Sequence, residues 1–253
     1  VFEVRAAEDI YTLDGVMHYA KGEIVDTITT GSDGVASSKE LYLGKYEIQE
    51  ITTPHGMVLN GTIQTVELTY AGQEIAITET AGNLYNERQK VKVSLSKVLE
   101  QNELFGIGMN GELKNITFGL YAKTDLVAGD GTIIPAGGLI EIVTFDDSGM
   151  ATVSIDLPLG SYYLQERSTD EHYILDDTHY EFEFSYGSQE TQVVEISVND
   201  GAPIKNDLKY GMVSGRKVDE DGHVIAGAIF GLFRNDENEY TAGNAYLTAE
   251  SAQ

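Results

Sequence analysis

Two segments of this chain carry the same residues at the same spacing. Gly44-Lys-Tyr-Glu-Ile-Gln-Glu50 is echoed by Gly160-Ser-Tyr-Tyr-Leu-Gln-Glu166. Phe2 and Phe118 each precede their glutamate by 48 residues, and Asn86 and Asn206 each precede a lysine, Lys97 and Lys217, by 11. A repeat of about 116 residues makes the chain a tandem array of a little over two domains. Each repeat is long enough to bury its own core.

The alignment places boundaries at residues 1–89, 90–208 and 209–253. Val1-Phe-Glu-Val-Arg-Ala aligns with Thr117-Phe-Gly-Leu-Tyr-Ala and Ile229-Phe-Gly-Leu-Phe-Arg. On this alignment the first unit lacks its opening strand, where a lysine is expected. The third is the N-terminal part of a further domain, without the half that would carry Glu and Asn. The middle unit alone is complete.

The hydropathy pattern is that of strands. Val91-Lys-Val-Ser-Leu-Ser-Lys97 and Tyr180-Glu-Phe-Glu-Phe184 alternate with period two, and Thr191–Val198 does so in part. Turn signals separate such runs: Ser32-Asp-Gly34, Ala128-Gly-Asp-Gly131, Asp146-Asp-Ser-Gly149 and Asp219-Glu-Asp-Gly222. No segment has a long, capped period of 3.6, and Glu103–Lys114 reads as a loop or a short helix. Many short strands joined by Gly/Asp turns predict an all-β chain of antiparallel sandwiches.

With 41 Asp and Glu against 16 Lys and Arg, the chain carries a net charge of −25. That balance argues against nucleic acid and anionic lipid as partners, since both reward basic residues. No apolar run is long enough to span a membrane, and residue 1 opens no signal-peptide pattern. The absence of cysteine excludes disulfides and thiolate metal sites. An extracellular domain without disulfides needs another brace.

Strand phase points to one. Val91, Val93, Leu95 and Lys97 share a face, while Lys92, Ser94 and Ser96 share the other. Lys97 is therefore in step with the apolar side, and Lys217 is in step with Val213. Tyr162, Leu164 and Glu166 share a face, as do Tyr46, Ile48 and Glu50. Asn206 is in phase with Ile204 and Leu208; Asn86 is assigned by spacing alone. Burial lowers a lysine pKa and raises that of a glutamate, which yields a nucleophilic amine and a protonated acid. The acid would hydrogen-bond the Asn carbonyl, stabilise its developing charge and pass protons to departing ammonia. Lys97 Nζ attacking Asn206 Cγ gives an isopeptide bond, formed once per molecule, with Glu166 as proton shuttle and Glu50 as its equivalent in the first unit. A buried salt bridge hydrogen-bonded to an amide would show the same phase. Repetition of all three residue types favours the covalent reading.

These motifs resemble the Cna B-type (SpaA-like, prealbumin-like) repeats of Gram-positive surface adhesins and pilins. A strand lysine, an Asp/Gly turn and G-A-x-F are matched by Lys217-Val-Asp-Glu-Asp-Gly and Gly227-Ala-Ile-Phe230. The glutamate motif is matched by Leu157-Pro-Leu-Gly-Ser-Tyr-Tyr-Leu-Gln-Glu166 and by Leu43–Glu50, followed by Pro54-His-Gly56. The second unit departs from the pattern at Ser168-Thr-Asp-Glu-His-Tyr173, where the family has Pro and Gly. It also has about eight extra residues before Phe118. The resemblance implies tandem inverse immunoglobulin-like sandwiches with first and last strands adjacent, bringing Lys97 to Asn206. It leaves Asn86 and Lys217 as unpaired equivalents. A cross-link spanning about 110 residues is worth roughly 4–5 kcal/mol by the loop-closure argument used for disulfides, and it would route pulling force through the bond.

Other marks read plainly. Leu157-Pro-Leu-Gly-Ser161 lacks the end of a sortase signal and reads as a turn. None of the Asp-rich turns has the spacing of an EF-hand. His18, His55, His172, His179 and His223 show no metal-ligand spacing, and the tyrosines read as core and cross-strand partners. No metal or cofactor is expected, and no turnover enzyme. The expected role is a stalk or shaft segment of a cell-wall-anchored surface protein, extracellular and monomeric. Two alternatives stand beside it. One is an adhesin module binding a host protein or glycan; the other is an accessory module of a secreted glycoside hydrolase.

Overall fold

The computed structural model describes residues 1–75 and 80–252. It divides into two units, Val1–Leu208 and Lys209–Gln253, each taken by itself below.

Within Val1–Leu208 the first stretch forms β1 (Phe2–Ala6), β2 (Ile10–Tyr11), β3 (Met17–Tyr19), β4 (Ile24–Ile28), β5 (Gly44–Glu50) and β6 (Ile63–Leu68). Four of these make a sheet in the order β4-β1-β5-β6, and β2 pairs with β3. Every second residue of β5 turns inward toward Val4, Ala6, Ile10 and Val25, led by the buried Tyr46.

The second stretch forms β7 (Lys90–Leu99), β8 (Thr117–Ala122), β9 (Leu126–Val127), β10 (Ile133–Ile134), β11 (Leu139–Thr144), β12 (Met150–Thr152), β13 (Gly160–Ser168), β14 (Tyr180–Phe184), β15 (Val193–Ser197) and β16 (Ile204–Asn206). The order β11-β8-β13-β14 repeats that of the first sheet. A second sheet, β12-β7-β15 with β16 also on β7, faces it. Val93 and Leu95 from one sheet and Phe118, Leu120, Tyr162 and Leu164 from the other share one core. Each such burial is worth about 1.5–3 kcal/mol. Two faced sheets over a common core are a β-sandwich.

The antiparallel expectation holds for the first of these sheets and fails in the second. There β7 runs antiparallel to β12 but parallel to β15 and to β16, with Ile204 opposite Lys97 and Asn206 opposite Leu99. The first and last strands of the repeat lie side by side in one sheet, and the chain traverses both in the same direction. The segment Glu103–Lys114 is mostly loop, ending in a 3₁₀ turn at Glu112–Asn115.

Between the two stretches the chain is pinned. Gln89 is buried, donates through Nε2 to Ser188 O (3.0 Å) and Thr191 O (2.7 Å), and accepts from Gly187 N (2.8 Å). The Tyr186–Thr191 loop reaches back to the other sheet's loops. Tyr186 Oη donates to Met57 O (3.2 Å), Leu59 N donates to Gln189 O (2.8 Å), and His55 packs on the Tyr186 ring (4.6 Å).

In Lys209–Gln253, β17 (Ile229–Leu232) pairs with β18 (Leu247–Glu250). None of its described residues is buried. Gln253 lies outside the described residues. Lys217 and Val213 share a phase as read from the sequence, but both are exposed. The reason is local: alternation selects a buried face only where a second layer exists to cover it.

Candidate cross-link site

The site lies where the two sheets of the second stretch meet. β7 brings Lys97 in from one sheet, and its parallel neighbour β16 brings Asn206, on the same face and one diagonal along. β13 brings Glu166 from the opposite sheet, in register with Phe118 on β8. Lys97 is 1 % exposed, Asn206 1 % and Glu166 3 %. The structure thus brings together all three residues singled out in the sequence.

Their geometry is specific. Lys97 Nζ lies 3.2 Å from Glu166 Oε1, with neither atom in an aligned hydrogen bond. Glu166 Oε2 accepts from Asn206 Nδ2 (2.8 Å) and from the backbone N of Asp176 (2.7 Å). Asn206 Nδ2 also donates to Ile174 O (2.6 Å), with Thr169 Oγ1 at 3.4 Å. The Phe118 ring lies beneath the amine, its centroid 5.3 Å from Nζ. Burial pushes the Lys97 pKa down, against the opposing pull of the Glu166 and Asp176 carboxylates. The arrangement therefore disfavours the ammonium and favours the nucleophilic amine.

One expectation needs correction. Glu166 was expected to hydrogen-bond the asparagine carbonyl. It instead accepts from the amide nitrogen, and Asn206 Oδ1 has no hydrogen-bond partner. The cause is the Ile174 carbonyl, an acceptor that fixes which end of the amide faces inward. Glu166 thus touches the amine through one oxygen and the amide nitrogen through the other.

The backbone of Lys97 is held by a turn. Lys97 N donates to Gly149 O (2.8 Å), and Gly149 sits at φ 78°. A Cβ there would fall 2.3 Å from Lys97 O, so only glycine allows this approach. Asp146 Oδ1 closes the turn by accepting from Ser148 N and Met150 N, each at 2.9 Å.

The other residues named from the sequence fall as follows. Glu50 is buried and accepts through Oε2 from Asn86 Nδ2 (2.5 Å). Lys217 is exposed and away from any such group in its own unit. Ser168–Tyr173, the departure from the motif, still closes the site's flank: Tyr173 is fully buried and donates to Glu100 O (2.9 Å). His18 and His179 stack on tyrosines, His55 packs at a tilt against Tyr186, and His172 and His223 pair with Asp170 and Asp219. Among the described residues no cluster of His, Asp or Glu has the arrangement of a metal site. Sequence reasoning missed Asp176 N, Ile174 O, Thr169 and Gly149. Of these only Gly149 had a signal, as the glycine of a turn.

The fold recurs in known proteins. Residues 2–82 and 107–201 match the family described as SpaA, prealbumin-like fold domain. No curated protein matches the chain. Among solved structures, the Bacillus anthracis TIE protein is similar over all of this chain and 38% of its own, at 19% identity and a TM-score of 0.58. The present chain thus spans well under half of that protein. GBS52, the minor pilin of Streptococcus agalactiae, is similar over 75% of this chain and 71% of its own (18% identity, TM-score 0.33). The shaft pilin SpaA of Lactobacillus rhamnosus GG is similar over 84% and 88% (12% identity, TM-score 0.30). At these identities the likeness is one of fold. With most of its length matched in two successive segments, the chain belongs to the family of SpaA prealbumin-like fold domains.

Proposed function

We propose that this chain is a stalk or shaft segment of an extracellular, cell-wall-anchored surface protein, braced by an isopeptide bond between Lys97 and Asn206. We read residues 1–89, 90–208 and 209–253 as successive repeats, the second carrying the bond. The observation that carries this reading is the bridging position of Glu166, with Oε1 at the amine and Oε2 at the amide nitrogen. Membership in the SpaA family supports the surface role.

The chemistry follows from the contacts. Glu166 Oε1 takes a proton from Lys97 Nζ as the nitrogen lone pair attacks Asn206 Cγ. Glu166 Oε2 returns a proton to Nδ2, the Cγ–Nδ2 bond breaks, and ammonia leaves. One C–N bond replaces another, and the carboxyl group ends as it began. No oxidant or cofactor enters. Each molecule reacts once, so this is maturation rather than turnover.

Intact mass of the full chain tests the reading. The expected result is a deficit of one ammonia, with a peptide linking Lys97 to Asn206, and its loss in Lys97→Ala, Asn206→Ala and Glu166→Ala. A wild-type chain of full mass would sink the proposal.

A further inference from the structure

The sheet β11-β8-β13-β14 ends on two strands that differ as edges. The pairing of β11 with β8 shifts register between Leu139 and Glu141, an irregularity of the kind that blunts an edge. β14 pairs with β13 in unbroken register, from Gly160 opposite Phe184 to Leu164 opposite Tyr180. Its sequence, Tyr180-Glu-Phe-Glu-Phe184, holds neither proline nor glycine.

The direction of the free backbone groups on β14 follows from its neighbours. Lys123 N donates to Ser161 O (2.9 Å), so Ser161 and Tyr163 direct their backbone groups to β8. Gly160, Tyr162 and Leu164 therefore bond to β14, where they meet Phe184, Phe182 and Tyr180. The N–H and C=O of Glu181 and Glu183 point the other way, out of the sheet. Among the described residues no backbone group bonds them there.

Beside this edge runs a groove of about 480 Å³. Tyr180 and Phe182 line one side, and Ile196, Val198, Asn199 and Asp200 line the other. Asn199 and Asp200 hold left-handed backbone, at φ 57° and 52°. That conformation is costly in residues other than glycine and gathers at ligand clamps. The edge is also acidic. Glu181 and Glu183 are exposed; Lys123 pairs with Glu181 (2.5 Å), and among the described residues no Lys, Arg or His pairs with Glu183.

We propose that β14 is a docking edge for an extended, basic segment of another protein, which adds to the sheet as a fifth strand. The segment's backbone bonds the outward N–H and C=O groups of Glu181 and Glu183. Its side chains alternate between the two faces of the sheet. Apolar ones enter the groove beside Tyr180 and Phe182, and Lys or Arg on the other face meet the carboxylates of Glu181 and Glu183. A second copy of this chain is a poor occupant, because it brings a net charge of −25 to an acidic edge. The docking edge is independent of the cross-link at Lys97.

The probe is a capped, fluorescein-labelled heptapeptide of alternating lysine and valine, added to the full chain. Anisotropy should show saturable binding about tenfold or more tighter than for the same peptide with glutamate in place of lysine, weakening as salt is added. Amide exchange at Glu181 and Glu183 should slow on binding, while Tyr180 and Phe182, already bonded to β13, should change little. Glu183→Pro removes an outward N–H and leaves the bonds to β13 in place, as proline at an edge allows. It should weaken binding by about threefold to tenfold, and Glu183→Gln by about twofold. A peptide with methylated backbone nitrogens should not bind. No saturable binding, equal binding of the methylated or the glutamate peptide, or unchanged exchange at Glu181 and Glu183 overturns the proposal. So does a dimer of the chain alone, seen by sedimentation and lost in Glu183→Pro, which assigns the edge to a second copy.

Discussion

The glutamate sites of the first and second repeats agree in their hydrogen bonds and differ in their cover. Glu50 and Glu166 each hold a backbone N–H and an asparagine amide through one oxygen. Among the described residues, of the two only Glu166 has a lysine at its other oxygen. The comparison teaches that β5, the loop after it and the segment carrying Asn86 hold the same glutamate–asparagine pair with no lysine beside it. What β7 adds is the amine and the apolar lid that desolvates it. Assembly of the acceptor and activation of the nucleophile are separable properties of this fold.

The widest separation between the repeats is in reactivity with pH. The reacting form of Lys97 is the neutral amine, since its ammonium has no lone pair with which to attack. The rate of ammonia loss after refolding should therefore rise with pH, by about tenfold per unit, until the amine is free. Burial lowers the Lys97 pKa, so that rise should level off below the ordinary lysine value of 10.5. The first repeat, refolded alone in solution with no added lysine strand, should lose no ammonia at any pH. A rate still rising above 10.5 would refute an amine activated by burial.

Next in size is stability. Lys97→Ala should lower it by about 4–5 kcal/mol through loss of the cross-link, shifting thermal unfolding by roughly 8–20 °C. Glu166→Ala should match it. Glu50→Ala, where no bond exists, should cost only about 1–3 kcal/mol, for the unpaired Asn86 amide and Asn60 N–H. Calorimetry of the three variants decides; equal losses at the two glutamates would break the contrast.

A smaller contrast lies in two matched turns. Gly149 and Gly34 both sit at positive φ, 78° and 77°, but a Cβ at Gly34 meets nothing within 4 Å. Gly34→Ala should cost about 1–2 kcal/mol of backbone strain. Gly149→Ala should cost about 3 kcal/mol or more, since it also displaces the Lys97 carbonyl. Urea titration measures both. The least effect is expected for Asp176→Asn. Asn60 already occupies that place in the first repeat, with the same turn to the N–H two residues on (Thr62 N, 3.0 Å; Thr178 N, 3.0 Å). A change within about 0.5 kcal/mol is expected.

The same two repeats show what a sequence discloses. Alternation in Val91–Lys97 and Tyr162–Glu166 revealed buried charges because each strand has a filled layer on one side and solvent on the other. Asn86 was found by spacing alone, since it lies in coil where side-chain phase has no meaning. Lys217 is in step with Val213 yet exposed, because among the described residues of its unit no second layer covers that face. The orientation of the Asn206 amide was not legible either. It depends on the carbonyl of Ile174, and a backbone acceptor leaves no trace in residue identity. The parallel pairing of β7 with β15 and β16 was hidden for a similar reason: period two is common to both strand directions.

Gln89 bears on dimensions. Between the two stretches the chain runs through Gln89, whose buried side chain is fixed to the Gly187–Thr191 loop and whose N–H donates to Gly56 O, not through a solvated tether. A string of domains on flexible tethers behaves as a coil, whose span grows with about the square root of its length. A series joined as at Gln89 is instead stiff at each junction, and its span grows in proportion to the number of repeats. Doubling the repeats then doubles the reach, where a tethered string would gain less than half as much again.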